Sequence, residues 1–86
     1  LCGVNMKVEI YGKEGCKYCQ KALEHVAELI KQKKVTEFKY TDIVKEGITG
    51  KDLSVMLNKE VTTVPQVVVD SVAIGGYTEF YANYNL

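Results

Sequence analysis

Two cysteines stand three residues apart in Cys16-Lys17-Tyr18-Cys19, where an apolar, strand-like run ends and a long amphipathic pattern begins. Thiols at that spacing can cycle between a dithiol and a disulfide. If a helix opens at Cys16 or just after it, residues three apart share one face and the two sulfurs come within bonding reach. The first sulfur would also meet unpaired N–H groups of the first helical turn, whose partial positive charge favours thiolate over thiol. Cys16 is therefore expected to attack. Cys19, one turn further in, is less exposed and farther from the positive helix end, which suits a resolving thiol that displaces a mixed disulfide. Zinc is the rival use of such a pair, but it needs about four ligands. Beyond the pair the chain offers only Cys2 and His25, so no metal is expected.

The elements that must hold this pair can be read from periodicity. Met6, Val8 and Ile10 alternate with Lys7, Glu9 and Tyr11, the period of a half-covered strand, and residues 12–15 turn the chain. From Cys19 the apolar residues Ala22, Leu23, Val26, Leu29 and Ile30 recur at three and four, giving a core-packing helix of about four turns. His25 lies at the edge of that stripe and reads as a flanking surface imidazole without a catalytic role. The lysines of residues 31–34 read as a solvated helix end that complements the macrodipole. Phe38 and Tyr40 alternate through Ile43 as a second strand. Thr49 and Asp52 resemble a capping box opening a helix with Leu53, Met56 and Leu57 inward. After Pro65, the valine run within residues 66–69 suits a strand covered on both faces, and Asp70-Ser71 turns it into a hairpin with residues 72–74. Gly75-Gly76 ends the hairpin, and residues 77–86 form a last helix with Phe80, Tyr81 and Tyr84 at helical spacing, serving as core or cover. The order βαβαββα predicts an α/β fold with a four-stranded mixed sheet.

Composition limits what such a domain can meet. With 86 residues the chain holds one modest core. Eleven lysines balance eleven acidic residues and there is no arginine, so neither nucleic acid nor a membrane surface is favoured as a partner. No apolar run is long enough to span a bilayer, and the N-terminus lacks the layout of a signal peptide. Three cysteines, an odd number, fit a catalytic pair in a reducing compartment, so a cytoplasmic location is expected. Residues 1–5 carry no pattern of their own and read as a cloning or processing remnant, which leaves residues 6–86 as the domain and makes Cys2 incidental.

Three segments in order resemble a glutaredoxin: CKYC at 16–19 after the first strand, TVP at 63–65 before the third, and GGYTEF at 75–80 after the fourth. The likeness runs from Lys7 onward. It is most similar to the small bacterial and phage dithiol glutaredoxins that reduce ribonucleotide reductase, whose usual motifs are CPYC, TVP and GGYTD; DIVKEGIT at 42–49 also looks like theirs. The resemblance implies a thioredoxin fold and glutathione as electron donor. The implied substrates are disulfide-containing proteins, ribonucleotide reductase among them in deoxyribonucleotide synthesis, and the implied state is a monomer. Cys16 and Cys19 match the family's nucleophile and resolving thiol. Thr63, Val64 and Pro65 match its cis-proline turn, whose bend leaves the Val64 backbone free to pair with the cysteinyl part of a bound peptide. Gly75 and Gly76 match a turn that lets the backbone approach glutathione, followed by Tyr77, with Thr78 and Glu79 matching the pair that holds its γ-glutamyl end. Lys13 matches a basic position facing the glycyl carboxylate, and Tyr18 an aromatic lining the groove. The chain departs from the pattern at Lys17, where proline is usual, and at Glu79, where aspartate is usual. Two rival readings follow from the same family: a dithiol reductant fed by a thioredoxin reductase, and a [2Fe–2S] cluster held between two protomers by the nucleophilic cysteine and glutathione.

Overall fold

Strand β1 (Met6–Gly12) follows the alternation of its sequence. In the computed structural model, which describes residues 6–84, Met6, Val8 and Ile10 are buried while Lys7 is exposed and Glu9 and Tyr11 are half-buried. Helix α1 (Lys17–Lys31) turns Ala22, Val26 and Leu29 onto those strand residues. Strand β2 (Val35–Asp42), helix α2 (Gly50–Leu57), strands β3 (Gln66–Val69) and β4 (Val72–Gly75), and helix α3 (Tyr77–Tyr84) complete the order expected from the sequence. The expectations for residues 1–5, Cys2 among them, and for the end of the last helix lie outside the described residues.

The sheet order is β2-β1-β3-β4. β1 runs parallel to β2 and antiparallel to β3, and β3 runs antiparallel to β4. This arithmetic brings four chain segments to one end of the sheet. Gly12 pairs with Asp42, Tyr11 with Gln66, and Val67 with Gly75. The exits of β1, β2 and β4 therefore lie beside the entrance to β3. On one face Met6, Val8, Ile10, Val67 and Val69 form a continuous core with α1 and with Phe80 of α3, which is fully buried. Burying each such aliphatic side chain contributes about 1.5–3 kcal/mol. The four residues of β3 are all buried, in agreement with the expectation of a strand covered on both faces. Its hairpin turns at Asp70 and Ser71, both with positive φ, the backbone that matches strand twist. Asp70 is tied back to β1, its Oδ1 accepting from Lys7 N–H at 3.0 Å.

Four expectations require correction. β2 begins at Val35, three residues before Phe38, because its register with β1 continues through Glu37 and a bulge. Ile30 is exposed, as the helix reaches the end of the sheet and leaves its last apolar residue on the flank. Met56 is also exposed: α2 has eight residues and buries Leu53, with Leu57 half-buried one turn later on the same side. His25 is half-buried rather than a surface imidazole. Its ring stands edge-on to Phe80 at 4.8 Å and beside Tyr81 at 5.0 Å, and Nε2 lies 3.1 Å from the Tyr84 carbonyl oxygen.

Candidate active site

Cys16 is the N-cap of α1, with extended backbone, a position where a side-chain acceptor for the first turn is preferred. Sulfur fills that role: Cys16 Sγ accepts from the Cys19 N–H at 3.2 Å. On its other side the Cys16 thiol donates to the Val64 carbonyl at 3.7 Å. The N–H of an opening helix turn and the loop before β3 thus grip one half-buried sulfur. Cys19 is buried, and burial pushes its thiol up to about 12, with the hydrogen bond to Cys16 adding to the effect and the Lys13 backbone N–H opposing it. Its proton stays on at neutral pH. Two chemically identical side chains therefore differ in burial and in partners, and both are free thiols in this state.

Beside Cys16 lies a groove of about 460 Å³. Tyr18 and Tyr77 line it with rings stacked at 6.1 Å. Thr63, Val64 and Pro65 form one wall, with the peptide bond before Pro65 in the cis form. Gly75, Gly76, Thr78 and Glu79 form the facing wall. A Cβ on Gly76 would stand 3.2 Å from the Pro65 carbonyl oxygen, so glycine is what lets these two walls close on each other. Glu79 folds back to accept the Gly76 N–H at 3.0 Å. Hydrogen bonds from its own N–H and that of Gly76 hold its carboxyl below the ordinary value of 4.5, and Lys59 favours the anion further. Glu79 is thus an ionised helix cap at the groove rim.

Lys13 is not in that groove. It lies on the other side of Cys16, in a second depression with Cys16, Cys19, Tyr40 and Asp42, and a third depression places it beside the Thr63–Val64 loop. Sequence reasoning also missed residues that the fold brings in. Lys59, Glu60, Thr62 and Gln66 line the first groove. Lys59 follows α2 because Asn58 ends that helix in the left-handed conformation, and no spacing in the sequence points to it. Gln66 is buried at the start of β3, and its side-chain amide donates to the Thr63 carbonyl at 2.9 Å, bracing the loop.

Known proteins share this fold. The thioredoxin-domain family profile matches residues 6–79. The glutaredoxin of Vibrio cholerae is 45% identical over 83 residues, which cover 94% of this chain and 95% of that protein. The chain belongs to the glutaredoxin family. Glutaredoxin 1 of Escherichia coli is 43% identical over 77 residues, covering 90% of this chain and 91% of that one. The solution structure of oxidised Escherichia coli glutaredoxin matches with a TM-score of 0.79 at 39% identity, covering 93% of this chain and 99% of that one. The thioredoxin fold expected from the sequence is therefore the fold observed. Glutaredoxins are thiol–disulfide oxidoreductases that draw on glutathione, and this chain carries the two cysteines of the CxxC motif at 16 and 19.

Proposed function

We propose that this glutaredoxin reduces protein disulfides and glutathionylated thiols, with glutathione as the electron donor. Cys16 attacks one sulfur of the target disulfide and expels the other as a thiolate. Cys19 then displaces the target from Cys16, closing the Cys16–Cys19 disulfide, and two glutathione molecules reopen it as they become glutathione disulfide. The observation that carries this reading is the position of Cys16 Sγ, 3.7 Å from the Val64 carbonyl at the lip of the groove. An extended cysteinyl peptide laid along Val64 would bring its sulfur to that point. Beyond it, Tyr18 and Tyr77 offer an apolar wall, and the ionised Glu79 with Thr78 at the start of α3 offers a partner for an ammonium group. Those two ends match a γ-glutamyl-cysteinyl ligand. Lys13, on the far side of the nucleophile, supplies positive charge to the Cys19 sulfur rather than a wall of this groove.

The DIVKEGIT stretch at 42–49 supports ribonucleotide reductase as one target. The chemistry requires a reducing compartment, in keeping with a cytosolic monomer. The test is turnover with glutathione and glutathione reductase set against turnover with a thioredoxin reductase, first on a small mixed disulfide and then on ribonucleotide reductase. Faster turnover with the glutathione system supports the proposal. Faster turnover with thioredoxin reductase overturns the choice of donor.

A further inference from the structure

On the side facing β2, the buried sulfur of Cys19 approaches Gly12 and the Tyr40 hydroxyl. Gly12, buried at the end of β1, lies against the sulfur. A Cβ at Gly12 would stand 2.9 Å from Cys19 Sγ and 2.9 Å from the Tyr40 hydroxyl oxygen. Gly12 is not among the glycines with positive φ, so backbone freedom does not call for glycine there. What a side chain would obstruct is the gap between a thiol and a phenol. Tyr40 reaches the gap from β2, where it pairs with Ile10, and its ring packs against the core. Tyr40 and Cys19 both line the second depression, so this side of the pair opens towards solvent.

We propose that Tyr40 stabilises the Cys19 thiolate by hydrogen bonding during the resolving step, directly or through one water, and that Gly12 keeps the gap open for that contact. The inference rests on Cys19 being the resolving thiol. In that step the Cys19 S–H gives its proton to solvent in the depression. The sulfur then attacks Cys16 Sγ, the Cys16–Cys19 bond forms, and the bond from Cys16 to the target breaks. The target sulfur leaves with the electron pair and is reprotonated by solvent. The first requirement is the hard one, because burial holds the Cys19 proton on. The groups facing it are Cys16 on its own helix, Lys13 after β1, and Tyr40 on β2, with Asp42 and Glu14 on the phenol side. Of these, Lys13 favours the thiolate. Burial, then the charges of Cys19, Asp42, Cys16 and Glu14, push the Tyr40 hydroxyl up from its ordinary value. It keeps its proton and faces the sulfur as a donor.

Tyr40→Phe tests this while preserving the ring. Losing one hydrogen bond to a thiolate cuts the ionised fraction about tenfold, and the more basic sulfur then attacks about threefold faster per ion, leaving a net slowing of about threefold. That slowing is expected in single-turnover reduction of a disulfide-bonded peptide. In a Cys16→Ser background, Tyr40→Phe should also slow alkylation of Cys19 by about the same factor across neutral to mildly alkaline pH. In a Cys19→Ser background, deglutathionylation by Cys16 should be unchanged. Gly12→Ala, whose methyl would stand 2.9 Å from both groups and push them apart, should slow Cys19 alkylation in the same direction. Unchanged Cys19 alkylation in Tyr40→Phe, or equal slowing of deglutathionylation, would overturn the role of Tyr40. Separately, if Cys19→Ser reduces the peptide disulfide as well as the parent does, the resolving role itself falls.

Discussion

Cys16 and Cys19 carry the same side chain, and everything that separates them is position. Cys16 stands at the helix start with its sulfur half-open, whereas Cys19 is buried and protonated. Between them sits Lys17, exposed on the first helical residue, where proline is usual in the related dithiol glutaredoxins. An ammonium near the Cys16 sulfur favours the charged, reduced form. After screening, the attraction should amount to about 0.3–1 kcal/mol. About 1.4 kcal/mol corresponds to about 30 mV for a two-electron couple. Lys17→Gln should therefore make the reduction potential more negative by about 10–20 mV, with the difference shrinking in high salt. A shift of opposite sign, measured against a glutathione redox buffer, would show that the lysine points away from the sulfur. The unequal placement of the two thiols was legible in the sequence because it depends on one local fact, a helix opening at the first cysteine. The side on which Lys13 lies was not. Lys13 belongs to the turn at residues 12–15, whose direction is set by the pairing of β1 with both neighbours.

At the scale of elements, sequence and structure agree where one signal dominates, and part where two partners must be known. The alternation in β1, the buried run in β3 and the capping box of α2 each carry their own instruction, and each appears as read. The start of β2 does not, since Thr36, Glu37 and Lys39 are exposed on an edge strand and no hydrophobic period marks them. Met56 and His25 were misread because the width of a helix's buried stripe depends on the neighbouring element, which spacing alone does not identify. In the capping box, Thr49 Oγ1 accepts the Asp52 N–H at 3.0 Å and Asp52 Oδ2 accepts the Thr49 N–H at 3.1 Å. Thr49→Ala should cost about 1 kcal/mol, read from the denaturant midpoint. The second bond depends on pH. Thr49's hydrogen bonds hold the Asp52 carboxyl below its ordinary 3.8. Its contribution is therefore full above that value and is lost as pH falls through the lower folded-state value. Asp52→Asn should flatten the stability curve in that acid window; an unchanged acid limb would place the loss at other carboxylates.

Across the whole molecule, one core supports the site from behind. Phe80 lies in α3, one turn past the Gly75–Gly76 turn, and is fully buried against α1 through His25. Phe80→Ala removes that plug, at a cost of about 3–5 kcal/mol. A domain this small has a total stability of only about 4–13 kcal/mol. The urea midpoint should fall sharply with little change in slope, and glutathione turnover should decline with it, because α3 carries one wall of the groove. Retained stability would mean that α3 is held chiefly by its half-buried tyrosines, Tyr77 and Tyr84. The strand register, which gathers the two cysteines, the Thr63–Pro65 turn and the glycine pair at one end of the sheet, gives the domain a single redox end with two unequal thiols. The most direct measurement compares Cys16→Ser and Cys19→Ser on two substrates, a glutathionylated thiol and a protein disulfide. Cys16→Ser should be inactive on both, while Cys19→Ser should keep deglutathionylation and lose reduction of the protein disulfide; equal loss in both variants on the glutathionylated substrate would contradict the division of roles.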